Sequence, residues 1–217
     1  SLTVVTPEGE LRRVNRQRDR ELFALNVGGH GLFGTLYSVT LRLATLALAV
    51  DRATQPEEVN LRPVQRVKQT LELLLPPEAV EGFLKETDAR CGDWRIPLQS
   101  VAVRRTLPED DTFLRWARRD YAEVTLGLAE PAGISTAVRG RQLRQELIDA
   151  AIATGGSFQI ASTPDATLGQ TAACYPQLRA FLAEKRRFDP HERLVNDWYA
   201  HQRGLLAREN CQVRWAI

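Results

Sequence analysis

Methionine is missing altogether from the 217 residues, position 1 included, and histidine and cysteine occur only three times each. The dispersed His30, His191 and His201 supply neither the clustered imidazoles of a zinc site nor a Ser/His/Asp arrangement, so no metal is expected. Cys91, Cys174 and Cys211 are odd in number, far apart and without a CxxC pair. That pattern excludes a disulfide scaffold and suits idle thiols in a reducing cytoplasm. No apolar run approaches the ~20 residues of a membrane span, and no charged-then-apolar leader opens the chain, so a soluble, cytoplasmic protein without a membrane partner is expected. Charge of one sign is scarce as well: 29 Lys and Arg against 27 Asp and Glu leave a net charge of +2, a weak pull on nucleic acid. The densest basic stretch, Arg12, Arg13, Arg16, Arg18 and Arg20, is interleaved with Glu8, Glu10, Asp19 and Glu21 and has no aromatic residues for base stacking. It suits a solvated hairpin edge better than a nucleic-acid surface.

Against these absences, 43% of the residues are hydrophobic, enough to fill one large or two small domains. Residues 22–43, LFALNVGGHGLFGTLYSVTLRL, are the most informative stretch. An apolar helical turn runs into Gly28-Gly29-His30-Gly31-Leu32-Phe33-Gly34 and then into a β-rich segment. Glycine reaches positive φ at no steric cost and lets a flat ligand or another backbone approach, so this order can line a cofactor groove. It equally describes a helix C-cap followed by a tight turn into a strand. It is not the dinucleotide fingerprint, whose glycines follow a strand and precede a helix.

Around this stretch the pattern predicts an α+β fold. Leu2 to Thr6 and Leu11 to Val14 flank a Pro7-Glu8-Gly9 turn, and Asp19 is placed to cap a short helix. Two strands are expected between Thr35 and Ala53, and the proline-containing, charged residues 54–67 form a linker. Beyond it the order is strand (Gln69 to Leu75), helix (Glu78 to Arg90), strand (Leu98 to Arg104), short helix (Glu109 to Arg118), strand (Ala122 to Leu128), helix (Thr136 to Thr154) and strand (Ser157 to Ala161). That is a ferredoxin-like order, an antiparallel sheet with its helices on one face, over residues 68–165. Residues 166–217 form a helical tail with an apolar stripe of Leu178, Phe181, Leu182 and Phe188, stopped by Asp189-Pro190.

Glu21-Leu22-Phe23 followed by GGHGLFGTLYSVTLRL resembles the "ELF...GGxGxFGxxTxVTLRL" stretch of FAD-linked oxidases of the vanillyl-alcohol oxidase and p-cresol methylhydroxylase superfamily. At the other end, Cys174-Tyr175-Pro176-Gln177, Phe181, Lys185 to Pro190, Arg193 and Asn196-Asp197-Trp198-Tyr199 are similar to the "YPxFxxFxxxKxxxDPxxxFxSDWYRH" of bacterial members, relatives of decaprenylphosphoryl-ribose oxidase and the sugar-alcohol oxidases. The resemblance implies that residues 1–53 close an FAD-binding domain of the PCMH type, that 68–165 are the substrate domain, and that the tail packs back on the FAD domain. It implies FAD contacts at Gly28, Gly29, Gly31, Gly34, Thr35 and Leu36, with Asn196 near the cofactor. The abrupt start on Ser1 fits a C-terminal portion whose partner is a preceding FAD-binding lobe, and such a portion should not hold FAD tightly by itself.

Where relatives carry polarising groups after the glycine pair of the substrate domain, this chain has Phe158 to Pro164, and only Gln159, Ser162 and Thr163 can hydrogen-bond. None titrates near neutrality, so the catalytic base is unassigned. Asp197 capping a last helix that carries a core Trp198 is the structural alternative at the tail. The function expected is hydride transfer from a hydroxyl-bearing small molecule (sugar, polyol or hydroxy acid) to flavin. The alternative is a non-catalytic ferredoxin-like interaction module, for instance a homodimer.

Overall fold

Pro7-Glu8-Gly9 reverses the chain as its residue types demand: Gly9 takes φ +89 and donates to the Thr6 carbonyl, while Thr6 N–H returns to the Glu10 carbonyl, both at 2.9 Å. This hairpin opens a computed structural model that describes residues 1–41, 59–60, 67–130 and 133–213. Among them the elements are β1 (Leu2–Val5), β2 (Leu11–Val14), α1 (Arg20–Asn26), β3 (Thr35–Val39), β4 (Val59–Asn60) and β5 (Val67–Leu75). A 3-10 turn (Pro77–Ala79) leads into α2 (Val80–Trp94), followed by β6 (Leu98–Thr106), β7 (Tyr121–Glu130), α3 (Ile134–Ala153) and β8 (Ser157–Phe158). Three helices close the chain: α4 (Leu168–Cys174), α5 (Leu178–Phe188) and α6 (Asp197–Val213). The fold is α+β, with six α-helices and two antiparallel sheets among the described residues. The chain divides into two units, Ser1–Ala49 with Glu109–Arg115 and Tyr175–Ile217, and Val50–Pro108 with Trp116–Cys174. The division is therefore not into contiguous blocks, since residues 109–115 belong with the first unit, and α4 belongs with the second rather than with the tail.

In the first unit the sheet runs β2-β1-β3. Val4 faces Leu36 and Thr3 faces Ser38, which leaves Tyr37 as the extra residue of a bulge on the outer strand. Leu22, Phe23 and Leu25 are the buried side of α1. Asp19 precedes that helix in a left-handed conformation and makes no side-chain bond to it; its carboxylate lies 3.8 Å from Arg12 instead, correcting the expected cap. The apolar stripe of α5 meets Phe33, whose ring stands edge-on to Phe181 at 5.0 Å and to Phe188 at 6.0 Å. Proline punctuates the tail: Pro176 and Pro190 cannot donate to a helical ladder, so it is three helices and not one continuous run.

In the second unit the strands are ordered β4-β6-β7-β5-β8 and every pairing is antiparallel. β7 is buried at every position but Thr125, as befits a central strand. Leu71, Leu73 and Leu75 of β5 lie beside Leu126, Val124 and Ala122 of β7 and form one apolar face. Glu130 shares that face and pairs with Arg144 of α3, which places this helix on the same side. Leu143, Leu147, Ile148 and Ala151 are the buried apolar side chains of α3, and Gly155 at φ +78 ends it by donating 2.9 Å to the Ile152 carbonyl.

Three expectations are corrected here. Residues 109–118 are not a helix: the Glu109 carboxylate takes the N–H groups of Asp111 and Thr112 at 3.1 and 3.0 Å, and Phe113 N–H goes to the Ala24 carbonyl at 3.0 Å. A helix would have needed that Phe113 donor for the carbonyl of residue 109. The strand expected over Ser157 to Ala161 stops at Phe158, because the chain turns back through Ser162 N–H on the Gln159 carbonyl. Within the expected linker, Val59 and Asn60 pair with Val101 and Ser100 as β4. The rest of that linker, and the second strand expected before Ala53, lie outside the described residues.

Candidate functional site

The glycine bend starts where α1 stops. Val27 N–H closes the helix on the Phe23 carbonyl at 3.0 Å, and the chain then passes through left-handed Gly28, His30 and Gly31 (φ +70, +54 and +71). Its four glycines serve different purposes. A Cβ on buried Gly29 would run into the Leu25 carbonyl oxygen, and one on Gly34 would sit 2.9 Å from the Val5 carbonyl oxygen and 3.3 Å from the Val4 Cβ. These two let the chain's own backbone come close, so their presence is explained without a ligand. Gly28 is required by its φ and abuts Thr112, whereas a Cβ on Gly31 would meet no heavy atom within 4 Å. The strand that follows is uncovered at all five positions: Thr35, Leu36 (53% exposed), Tyr37 (72%), Ser38 and Val39. Leu32 and Phe33 turn inward and anchor the bend in the aromatic core.

Asn196 holds this bend from the tail. Its side-chain carbonyl accepts Tyr199 N–H at 2.9 Å, capping α6, while its amide donates 2.7 Å to the His30 carbonyl. The cap is therefore Asn196 and not Asp197. The His30 ring lies flat on Trp198 with centroids 3.9 Å apart and planes 11° from parallel. Burial lowers the His30 pKa from its ordinary 6.5. Because the folded value is the lower one, the stability linked to His30 is complete above 6.5 and is lost as the pH falls through the folded value. An NMR titration of the His30 ring protons should show that depressed midpoint. Truncating Asn196 to alanine should cost about 1–2 kcal/mol in denaturant unfolding, and Asn196→Ser, which retains a capping oxygen, should recover part of it. His191 and His201 are exposed.

The loop that presents Asn196 is fastened by a buried ion pair. Lys185 and Asp189 are fully buried and pair one helical turn apart, and Asp189 also accepts the N–H groups of Arg193 and Leu194 at 3.0 and 2.8 Å. The Tyr199 hydroxyl donates to Glu192 at 2.6 Å, and Arg203 reaches the same carboxylate at 2.7 Å. The KRRFDP and NDWY segments thus form one lock that orients α6 and its cap.

Gln159, Ser162 and Thr163 belong to the second unit, whereas the glycine bend and Asn196 belong to the first. Gln159 uses its backbone N–H on the Glu72 carbonyl at 3.0 Å. The Ser162 hydroxyl donates to the Glu72 carboxylate at 2.7 Å, and Thr163 is buried with its hydroxyl unpartnered. Sequence reasoning passed over Glu72, Glu123 and Arg104, which the strand register places on the sheet face opposite Leu71 and Leu73. Arg104 forks onto buried Glu123 at 2.9 and 2.6 Å, and the Thr106 hydroxyl adds a third bond at 3.1 Å. Hydrogen bonding to Glu123 raises the Arg104 pKa, with Glu72 contributing more weakly. The signal was available in LELLL: a single charge at period two inside an apolar strand marks the polar face. Glu72 is the half-buried carboxylate of this face and, among the bonds described, accepts only from Ser162.

Among the described residues no three His, Cys, Asp or Glu side chains gather as a metal site, and no helix is long and apolar enough to cross a membrane. No protein-family model matches the sequence, and no curated protein matches it.

Proposed function

We propose that this chain is the C-terminal portion of an FAD-dependent oxidoreductase that oxidises a hydroxyl-bearing small molecule, a sugar, polyol or hydroxy acid. In this reading the first unit is the end of a PCMH-type FAD-binding domain and the second is a ferredoxin-like substrate domain. The observation that carries it is the exposure of Gly31 and of β3 on either side of the buried Leu32 to Gly34: a left-handed glycine with open space at its Cβ position, and a strand, Thr35–Val39, with no buried residue. Soluble domains seldom leave such a contiguous apolar edge without something to cover it. The fit to FAD is partial. Gly28 and Gly31, with Thr35 and Leu36, have the exposed main chain to lie along a flat cofactor, while Gly29 and Gly34 are used internally. Asn196 acts by holding the bend through the His30 carbonyl. The β-α-β-β-α-β order of the second unit, with strands β6-β7-β5-β8 side by side, supports the ferredoxin-like assignment.

The flavin, when bound, supplies the hydride acceptor; the chain's own part is to orient the substrate and manage the hydroxyl proton. Arg104, Glu123 and Ser162 present donors and acceptors for hydroxyl groups, and Glu72 is the proton acceptor that Gln159, Ser162 and Thr163 are not. Visible flavin absorbance decides the matter: it should be weak or missing in the purified 217-residue chain and present when the coding sequence is extended upstream. An extended protein that stays colourless and ignores added FAD overturns the reading. In the extended enzyme, Glu72→Gln should lower kcat by roughly a hundredfold, in the range for loss of a general base, with flavin absorbance unchanged.

The interaction-module alternative draws on the same exposed strand. The bulge at Tyr37 interrupts its pairing edge, which disfavours strand-to-strand association with a second copy. A concentration-independent monomer in sizing experiments would remove that alternative.

A further inference from the structure

Between the start of α2, the end of β6 and the start of β7 lies a groove of about 520 Å³, wholly within the second unit; of its lining residues the oxidoreductase reading uses only Arg104. That volume is in the range of small-molecule pockets. Pro77 and Val80 line it from the α2 side, and Val103 and Ala122 from the helix-bearing face of the sheet, with Tyr121 beside them. Register pairs Arg105 with Ala122 and Ala122 with Leu75, so a short side chain stands between two long ones on the helix-bearing face. Three charged residues border it. Arg104 is already forked onto Glu123, which leaves Arg105 and its partner Asp120 at 2.7 Å as the ionic rim. Both members of that pair are well exposed (67% and 48%), so water screens their attraction and another anion can take the place of Asp120. The long Arg105 stem can stay over apolar surface while its guanidinium grips that anion bidentately.

We propose that this groove binds a small amphiphilic anion: a flat or branched apolar body carrying one carboxylate or sulfonate, with the body on Val80, Val103 and Ala122 and the anion on Arg105. Its truth or failure is independent of flavin binding.

Anilinonaphthalene sulfonate is a suitable probe for the 217-residue chain. Its fluorescence should rise to saturation at one site and be displaced by naphthoate, with the uncharged naphthamide at least several-fold weaker. Val103→Phe, which fills the groove, should abolish the signal, and Arg105→Gln should weaken affinity at least threefold. The dye can also settle on the exposed β3 strip, so a Leu36→Ser/Tyr37→Ser variant is needed and should leave the saturable signal intact. Unchanged binding in Val103→Phe with native circular dichroism, or loss of the signal in the β3 variant, overturns the proposal. Should Val103→Phe fail to fold, the surface substitution Arg105→Gln decides: affinity equal to wild type, or naphthamide competing as well as naphthoate, rejects it.

Discussion

Asp189→Ala is expected to destabilise the first unit by about 3–5 kcal/mol, the cost of leaving one charge of a buried pair without its partner. Lys185 would keep a fully buried ammonium with its counter-charge gone, and the N–H groups of Arg193 and Leu194 would lose their acceptor as well. Urea unfolding followed by tryptophan fluorescence, with Trp198→Phe as the control for the signal of the first unit, measures the loss. A change below about 1 kcal/mol would mean that water reaches the pair and that it behaves as a surface bridge. A pH dependence accompanies it. Burial by itself would raise the Asp189 carboxyl, but Lys185 and the two backbone donors outweigh burial and hold it below its ordinary 3.8. With the folded value depressed, the contribution is complete above 3.8 and disappears as the pH falls through the folded value. Acid unfolding of Asp189→Ala should therefore lack that component while retaining the one from His30, which begins at 6.5.

The second large effect separates the glycines by purpose. Gly29→Ala should cost about 3 kcal/mol or more, at the upper end for overpacking, because the new methyl meets a rigid helical carbonyl rather than a side chain that can move. Gly31→Ala meets open space and pays only for its left-handed φ, about 1–2 kcal/mol less the reduced freedom of the unfolded chain. Thermal melts of both variants check the contrast. In an upstream-extended protein that binds FAD, Gly31→Ala should weaken retention of the cofactor beyond what its small loss of stability explains. Equal melting temperatures for the two variants would show that the bend relaxes freely and that neither glycine is required by packing.

Several elements were legible from residues alone. The Pro7-Glu8-Gly9 hairpin, α3 with its Gly155 stop, and the strands β5, β6 and β7 follow from turn chemistry and from apolar periods of two or 3.6, which act over a few neighbours. The misread segments share a different cause. Residues 109–118 have helical composition, yet Phe113 gives its N–H to Ala24, a partner 89 positions away in sequence. Asp19 and Asp197 are both acceptable capping residues, and only the left-handed φ of Asp19 and the side-chain geometry of Asn196 select otherwise.

At the candidate sites the same distinction applies. The positions of four glycines, and the motif around Lys185 to Tyr199, were visible as a string of letters. That Gly29 and Gly34 serve the chain's own backbone while Gly31 opens outward depends on what lies within 4 Å of each, which no local pattern encodes. The pairing of Arg104 with Glu123 and of Ser162 with Glu72 needs the strand register, because it joins residues 19 and 90 positions apart. Composition and periodicity thus determined the class of fold and most of its elements, since they record short-range preferences for φ and for burial. Tertiary packing decided which glycines face solvent, which serine meets the Glu72 carboxylate and where the apolar groove lies, because each depends on distant segments that compete for the same donors and the same space.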